Sequence, residues 1–172
     1  PLPSAPASTF GAYFAASVPF TPGATPQDVF TITGSVSKTI TVLGAGIASI
    51  QTTAGVNAWY LAKRSTANSG GTSSAVAAVP VNDAHPAATA TVLQYTVNPT
   101  AGTLVGRVWT GRVASPTAAG NTVGNSNIDL TPMLQRQPIV LSGITDVLAW
   151  NFNGAALPAG LSVSAWFAWI EN

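Results

Sequence analysis

His85 is the sole histidine of the chain, two residues from Asp83 in the run Asn82-Asp83-Ala84-His85-Pro86. With serines abundant, a Ser-His-Asp relay is the first chemistry to weigh, the imidazole taking a hydroxyl proton while the carboxylate orients the ring. No Gly-x-Ser-x-Gly elbow accompanies it. Asn, Asp and Pro around His85 read instead as turn formers, which leaves His85 a loop histidine. The acids Asp28, Asp83, Asp129, Asp146 and Glu171 are scattered, so no glycosidase-type carboxylate pair is marked by spacing. One histidine and no cysteine give no pattern for a transition-metal site.

A second candidate is Thr41-Val42-Leu43-Gly44-Ala45-Gly46-Ile47-Ala48-Ser49, where a strand runs into Gly-x-Gly-x-x-Ser much as a dinucleotide-binding turn begins. That chemistry needs a helix after the glycines, its N-terminus facing the pyrophosphate. Here the chain continues Ile50-Gln51-Thr52-Thr53-Ala54-Gly55-Val56, poor helical material. The glycines are therefore read as part of a β segment. No enzymatic activity, cofactor or small-molecule substrate is expected.

The elements that would have to position any site are unusual in composition. Six basic and five acidic residues make the chain only 6% charged, where ordinary domains carry about a quarter. Charge keeps monomers soluble and apart, so its scarcity points to a surface that lies against other protein. Lys38, Lys63, Arg64, Arg107, Arg112 and Arg136 are too dispersed to form a basic stripe, and direct nucleic-acid binding is not expected. No apolar run is long enough for a membrane span. The stretch from Phe10 to Phe20 lacks a basic flank and is broken by Gly11, Ser17 and Pro19, so it is read as mature protein. The Pro-Leu-Pro start fits removal of an initiator Met.

Residues 1–27 carry six prolines and no charge, which predicts an extended arm. Phe10, Tyr13, Phe14 and Phe20 are too many aromatics for a solvated tail, so the arm should dock, either on its own domain or across a neighbour. From residue 28 to 172 the pattern is all-β, with eight or nine short strands. Hairpins are expected at Gly34-Ser35, at Pro99–Gly102 and at Gly143, with a short strand over Ile50–Thr53 and another over Ala58–Arg64. Alternation is clearest in Leu161, Val163, Ala165, Phe167 and Trp169 of the last strand. A single jelly-roll-like β-sandwich is the expected architecture, with long polar loops at 65–88 and 114–137.

Aromatic parity sharpens this. Trp166 and Trp169 must point to opposite faces of their strand, and Trp109 shares its parity with Arg107 and Val105. Exposed Trp and Arg suit subunit interfaces. The candidate interface residues are accordingly Phe10, Tyr13, Phe14, Phe20, Arg107, Trp109 and Trp166.

Four runs carry a resemblance: Leu61–Thr72 (LAKRSTANSGGT), Asp83–Thr91 (DAHPAATAT), Gly102–Gly106 (GTLVG) and Ala155–Ser162 (AALPAGLS). Together they make residues 28–172 resemble small structural proteins of tailed bacteriophages. The resemblance carries no catalytic or ligand residue. It implies a virion component, of the head decoration or cement type, made in the host cytoplasm and placed on the outer surface of the phage head. The expected partners are the major capsid protein and other copies of the chain in a homotrimer, with no nucleic acid and no membrane. The alternative is a tail-fibre or receptor-binding module that holds host glycans on exposed aromatics.

Overall fold

The computed structural model describes residues 10–53, 55–115, 122–130 and 138–172. Within them the chain forms twelve strands. They are β1 (Gly11–Ala16), β2 (Asp28–Thr33), β3 (Ile40–Gln51), β4 (Gly55–Arg64), β5 (Thr72–Ala75), β6 (Val79–Pro80), β7 (Thr91–Val97), β8 (Leu104–Ser115), β9 (Thr122–Asp129), β10 (Ile139–Leu141), β11 (Val147–Asn151) and β12 (Ser162–Glu171). All pairings are antiparallel. The first sheet has the order β10-β3-β12-β1-β6, with β9 also paired to β3. The second runs β5-β7-β2-β11-β4-β8.

One apolar core draws on both sheets. Alternation, interrupted in β3 by a bulge at Leu43, puts Tyr13 and Ala15 of β1, Val42, Ala45 and Ile47 of β3, and Val163, Ala165, Phe167 and Trp169 of β12 on its side of the first sheet. The second sheet answers with Phe30, Ile32, Trp59, Leu61, Leu148 and Trp150. Phe30 and Phe167 stack across the gap between the sheets, with ring centres 5.3 Å apart and planes 15° from parallel. Trp59 meets Phe152 edge-on, and Trp109 meets Trp150 the same way. These rings place the largest apolar areas of the chain where burial counts most. The architecture is a sandwich-like pair of antiparallel sheets, not a closed barrel.

The expected hairpins are not formed. β2 and β3 flank Gly34-Ser35 but belong to different sheets, as do β10 and β11 around Gly143. β7 and β8 share a sheet, yet β7 pairs with β2 and β5 while β8 pairs with β4 at the far edge. At Gly34-Ser35 and at Gly143 the chain crosses from one layer to the other, whereas after β7 it passes to the opposite edge of the same sheet. Ile50–Thr53 is not a separate strand either, since β3 runs through to Gln51.

Both expected loops contain strands. The stretch 65–88 holds β5 and β6, and 114–137 holds β9, which pairs with β3 from Gly44↔Asp129 to Gln51↔Thr122. Polar, glycine-bearing composition hid these edge strands, whose stability comes from pairing and not from propensity. Of the segment 1–27, residues 1–9 lie outside the described residues. Residues 11–16 form β1, seated between β12 and β6 of the same chain. Phe20 bridges to Val163 of β12.

Candidate functional site

The outer face of the first sheet is built by the same alternation that builds the core. β12 turns Ser162, Ser164, Trp166, Ala168 and Ile170 outward, and β1 turns out Ala12, Phe14 and Ala16. Register sets Phe14 opposite both Ala168 and Val79, and Trp166 opposite Gly46. Phe14 and Trp166 stack at 5.3 Å and 22°. Phe14 stays 39% exposed and Val79 60%. Glu171 is the only charged residue in β1, β3, β6 and β12, and it is buried. The result is a contiguous uncharged face of apolar and hydroxyl side chains.

Gly44 and Gly46, the glycines of the nucleotide-like motif, lie in the middle of β3 under the Trp166 indole. A Cβ on Gly46 would sit 2.0 Å from Trp166 Nε1, and one on Gly44 would sit 3.2 Å from the ring. The strand continues through the motif to Gln51, so no helix N-terminus is presented to a phosphate. The glycines are there because the indole lies flat on the strand.

Two buried carboxylates anchor the loops. Asp28 is fully buried and accepts four hydrogen bonds. Its Oδ1 takes Arg64 Nη2 at 2.7 Å and Asn151 Nδ2 at 2.6 Å, and its Oδ2 takes Arg64 Nε at 2.6 Å and Asn68 Nδ2 at 2.8 Å. Arg64 also donates to the Gly102 carbonyl, and Asn68 Oδ1 accepts from the Gly102 N–H. This fork ties the loops after β4 and before β8 to the sheet. Nearby Tyr95 has its hydroxyl pKa raised by burial and by the Asp28 charge, against a lowering bond with Thr31.

Glu171 is the second anchor, at the end of β12. Its carboxylate accepts from the backbone N–H groups of Thr89 and Ala90, the Thr89 hydroxyl and the Trp169 indole. Burial opposes its charge, but these donors together hold its carboxyl below the usual range. Tyr13 is raised by burial first and then by the Glu171 charge, and its hydroxyl donates to the Pro86 carbonyl.

The seven candidate interface residues separate into groups. Tyr13 and Phe20 are buried in their own core. Phe14 and Trp166 come together on the outer face of the first sheet, while Phe10 is 54% exposed just before β1. Arg107 and Trp109 belong to β8 in the second sheet and point to opposite sides. A bulge sets Leu61 opposite Trp109 but Ala62 opposite Arg107, leaving Val108 as the extra residue. Trp109 thus turns in against Trp150, while Arg107 lies exposed over the Tyr60 ring at 4.3 Å. Sequence parity alone gives these two residues one face, because a bulge leaves no mark in the residue pattern.

A cavity of about 420 Å³ opens beside Arg107, lined by Tyr60, Arg112, Thr110 and Asn153 among others. Arg112 and Tyr60 carry no sequence signal as partners, because the β4–β8 pairing joins strands far apart in the chain.

His85 and Asp83 sit on a turn held by His85 N–H to the Asn82 carbonyl and Ala84 N–H to Asn82 Oδ1. Among the described residues no group of three or more His, Asp or Glu is gathered to hold a metal, and no helix is long and apolar enough to cross a membrane. Compared with known proteins, the chain matches no family model, no curated protein and no solved structure.

Proposed function

We propose that this chain is a non-enzymatic capsid decoration protein of a tailed bacteriophage, a cement subunit that bridges neighbouring major capsid subunits on the outside of the head. The observation that carries the reading is the uncharged outer face of β6, β1, β12 and β3, with the Phe14–Trp166 stack at its centre. Strand spacing and rise give this face roughly 500 Å². That is the size of the largest patches on monomers and short of the ~800 Å² each partner gives to a stable interface. The remaining contact would come from the Pro-rich arm or from a second copy in a homotrimer. Such a face binds through apolar area and backbone hydrogen bonds, which salt screens weakly. The strand order, in which β2, β3 and β4 alternate between sheets, supports a jelly-roll-like sandwich.

Quantifying the protein in purified virions tests this. Hundreds of copies per particle, and binding to undecorated shells that survives ~0.5 M salt, support it. Phe14→Asp should abolish shell binding while leaving the far-UV circular dichroism unchanged. A handful of copies, or binding that collapses at moderate salt, overturns it.

The alternative is a tail-fibre or receptor-binding module, supported by the same exposed aromatics as a stacking surface for host glycans. Quenching of tryptophan fluorescence by neutral polysaccharide, lost in Phe14→Asp, would favour it.

A further inference from the structure

Charge is so scarce here that the position of each unneutralised cation carries information. Arg64 is matched by Asp28, and Lys63 donates to the Val140 carbonyl. Arg107 and Arg112 form no ion pair among the described residues, and both line the 420 Å³ cavity on the outer face of the second sheet.

Their convergence follows from register. On β4, Ala58, Tyr60 and Ala62 stand opposite Arg112, Thr110 and Arg107 of β8. Arg107 and Arg112 therefore bracket Tyr60, separated along the strand by about 13 Å of backbone, a gap two arginine side chains can close over a bound group. Arg107 is already bent inward over the Tyr60 ring, with its Nη2 3.4 Å from Asn153 Oδ1. Asn153 holds a left-handed backbone (φ 63), followed by Gly154 at φ 67, so a tight turn presents that amide to the groove.

We infer that this groove is a binding site for a carboxylated saccharide, the carboxylate held between Arg107 and Arg112 and the sugar lying along Tyr60, Thr110 and Asn153. A guanidinium fork matches a carboxylate in two parallel hydrogen bonds. The Tyr60 ring and Ala58 methyl supply an apolar floor, and the Thr110 hydroxyl and Asn153 amide supply neutral partners for sugar hydroxyls. Two cations suffice for one carboxylate and are too few for a nucleic-acid backbone. The site is on the other sheet from the proposed assembly face and does not depend on that reading. It stands apart from the glycan alternative too, which rests on Phe14 and Trp166.

The test is calorimetric titration of the whole chain with trigalacturonate, with its neutral methyl ester, and with sodium acetate and sodium sulfate. Trigalacturonate should bind, weakening with salt, and the ester should not. Arg107→Gln and Arg112→Gln should each weaken binding about 10- to 100-fold, the value of a charged hydrogen bond. Arg112→Lys should recover only part of it, since the fork is lost. Both arginines are exposed, so thermal unfolding of the variants should match the parent.

No binding, equal binding of the ester, or binding unchanged by both substitutions overturns the site. Acetate or sulfate binding as tightly as trigalacturonate reduces it to a free oxyanion site and overturns the saccharide assignment. None of these results touches the assembly reading, which is decided by virion stoichiometry.

Discussion

Replacing Asp28 by Asn changes a single atom type in the second sheet, yet the surroundings make it severe. The carboxylate accepts from Arg64 Nε and Nη2, Asn68 and Asn151 in a site with no solvent exposure. The amide would remove the charge opposing a buried guanidinium and turn an NH₂ toward a donor. Breaking one partner of a buried pair costs about 3–5 kcal/mol, because the other charge stays buried and uncompensated. A chain of 172 residues has an unfolding entropy of about 0.36 kcal/mol/K, so Tm should fall by about 8–14 °C.

Scanning calorimetry with urea unfolding followed by circular dichroism measures both quantities. Asp28→Ala, Arg64→Ala and the double variant complete a cycle in which the coupling should be about 2 kcal/mol. If Asp28→Asn lowers Tm by less than about 3 °C, the network is solvated and the reasoning fails.

Glu171 gives the pH dependence. Its folded pKa is lowered, so its contribution is fully present above the unfolded value of 4.5 and is lost as pH falls through the folded value. Glu171→Gln should cost about 1–3 kcal/mol at pH 7 and flatten the acid limb of a stability–pH curve measured by urea unfolding. Tyr13 acts at the other end: its raised pKa means stability is full below pH 10 and lost as pH rises through the folded value. Tyr13→Phe should soften alkaline unfolding, at a cost of about 0.5–1.5 kcal/mol near neutrality for the lost bond to Pro86. Gly46→Ala should displace the Trp166 indole, destabilising by about 1–3 kcal/mol and red-shifting tryptophan emission. Adding Trp166→Ala should remove most of that penalty.

The residue pattern reveals where strands lie better than which strands meet. β12 is legible from its alternation, and the opposed faces of Trp166 and Trp169 follow from parity alone. Pairing is not legible: a Gly-Ser turn between two alternating segments is equally compatible with a hairpin and with a crossing between layers. The choice depends on what each inward face packs against, as when Phe30 of β2 meets Phe167 of β12. The bulge at Val108 reverses the side taken by Arg107 relative to Trp109, and no local residue type announces it. β9 escaped because Thr-Val-Gly-Asn-Ser-Asn-Ile-Asp has the composition of a loop and earns strand geometry only beside β3. The groove was hidden for a related reason, since its arginines lie in β8 and its tyrosine in β4.

None of the strand pairs joins strands that are consecutive along the chain, among the described residues. Every ladder must close a long loop before its first hydrogen bond forms, so no local hairpin can act as a seed, and folding should be slow for the size of the chain. The order of synthesis adds to this. β1 and β3 emerge early and then wait for β12, which fills the place between them. Until it does, the chain carries two open strand edges and the unburied faces of Tyr13, Val42 and Ile47, which makes the interval before β12 docks its most aggregation-prone moment.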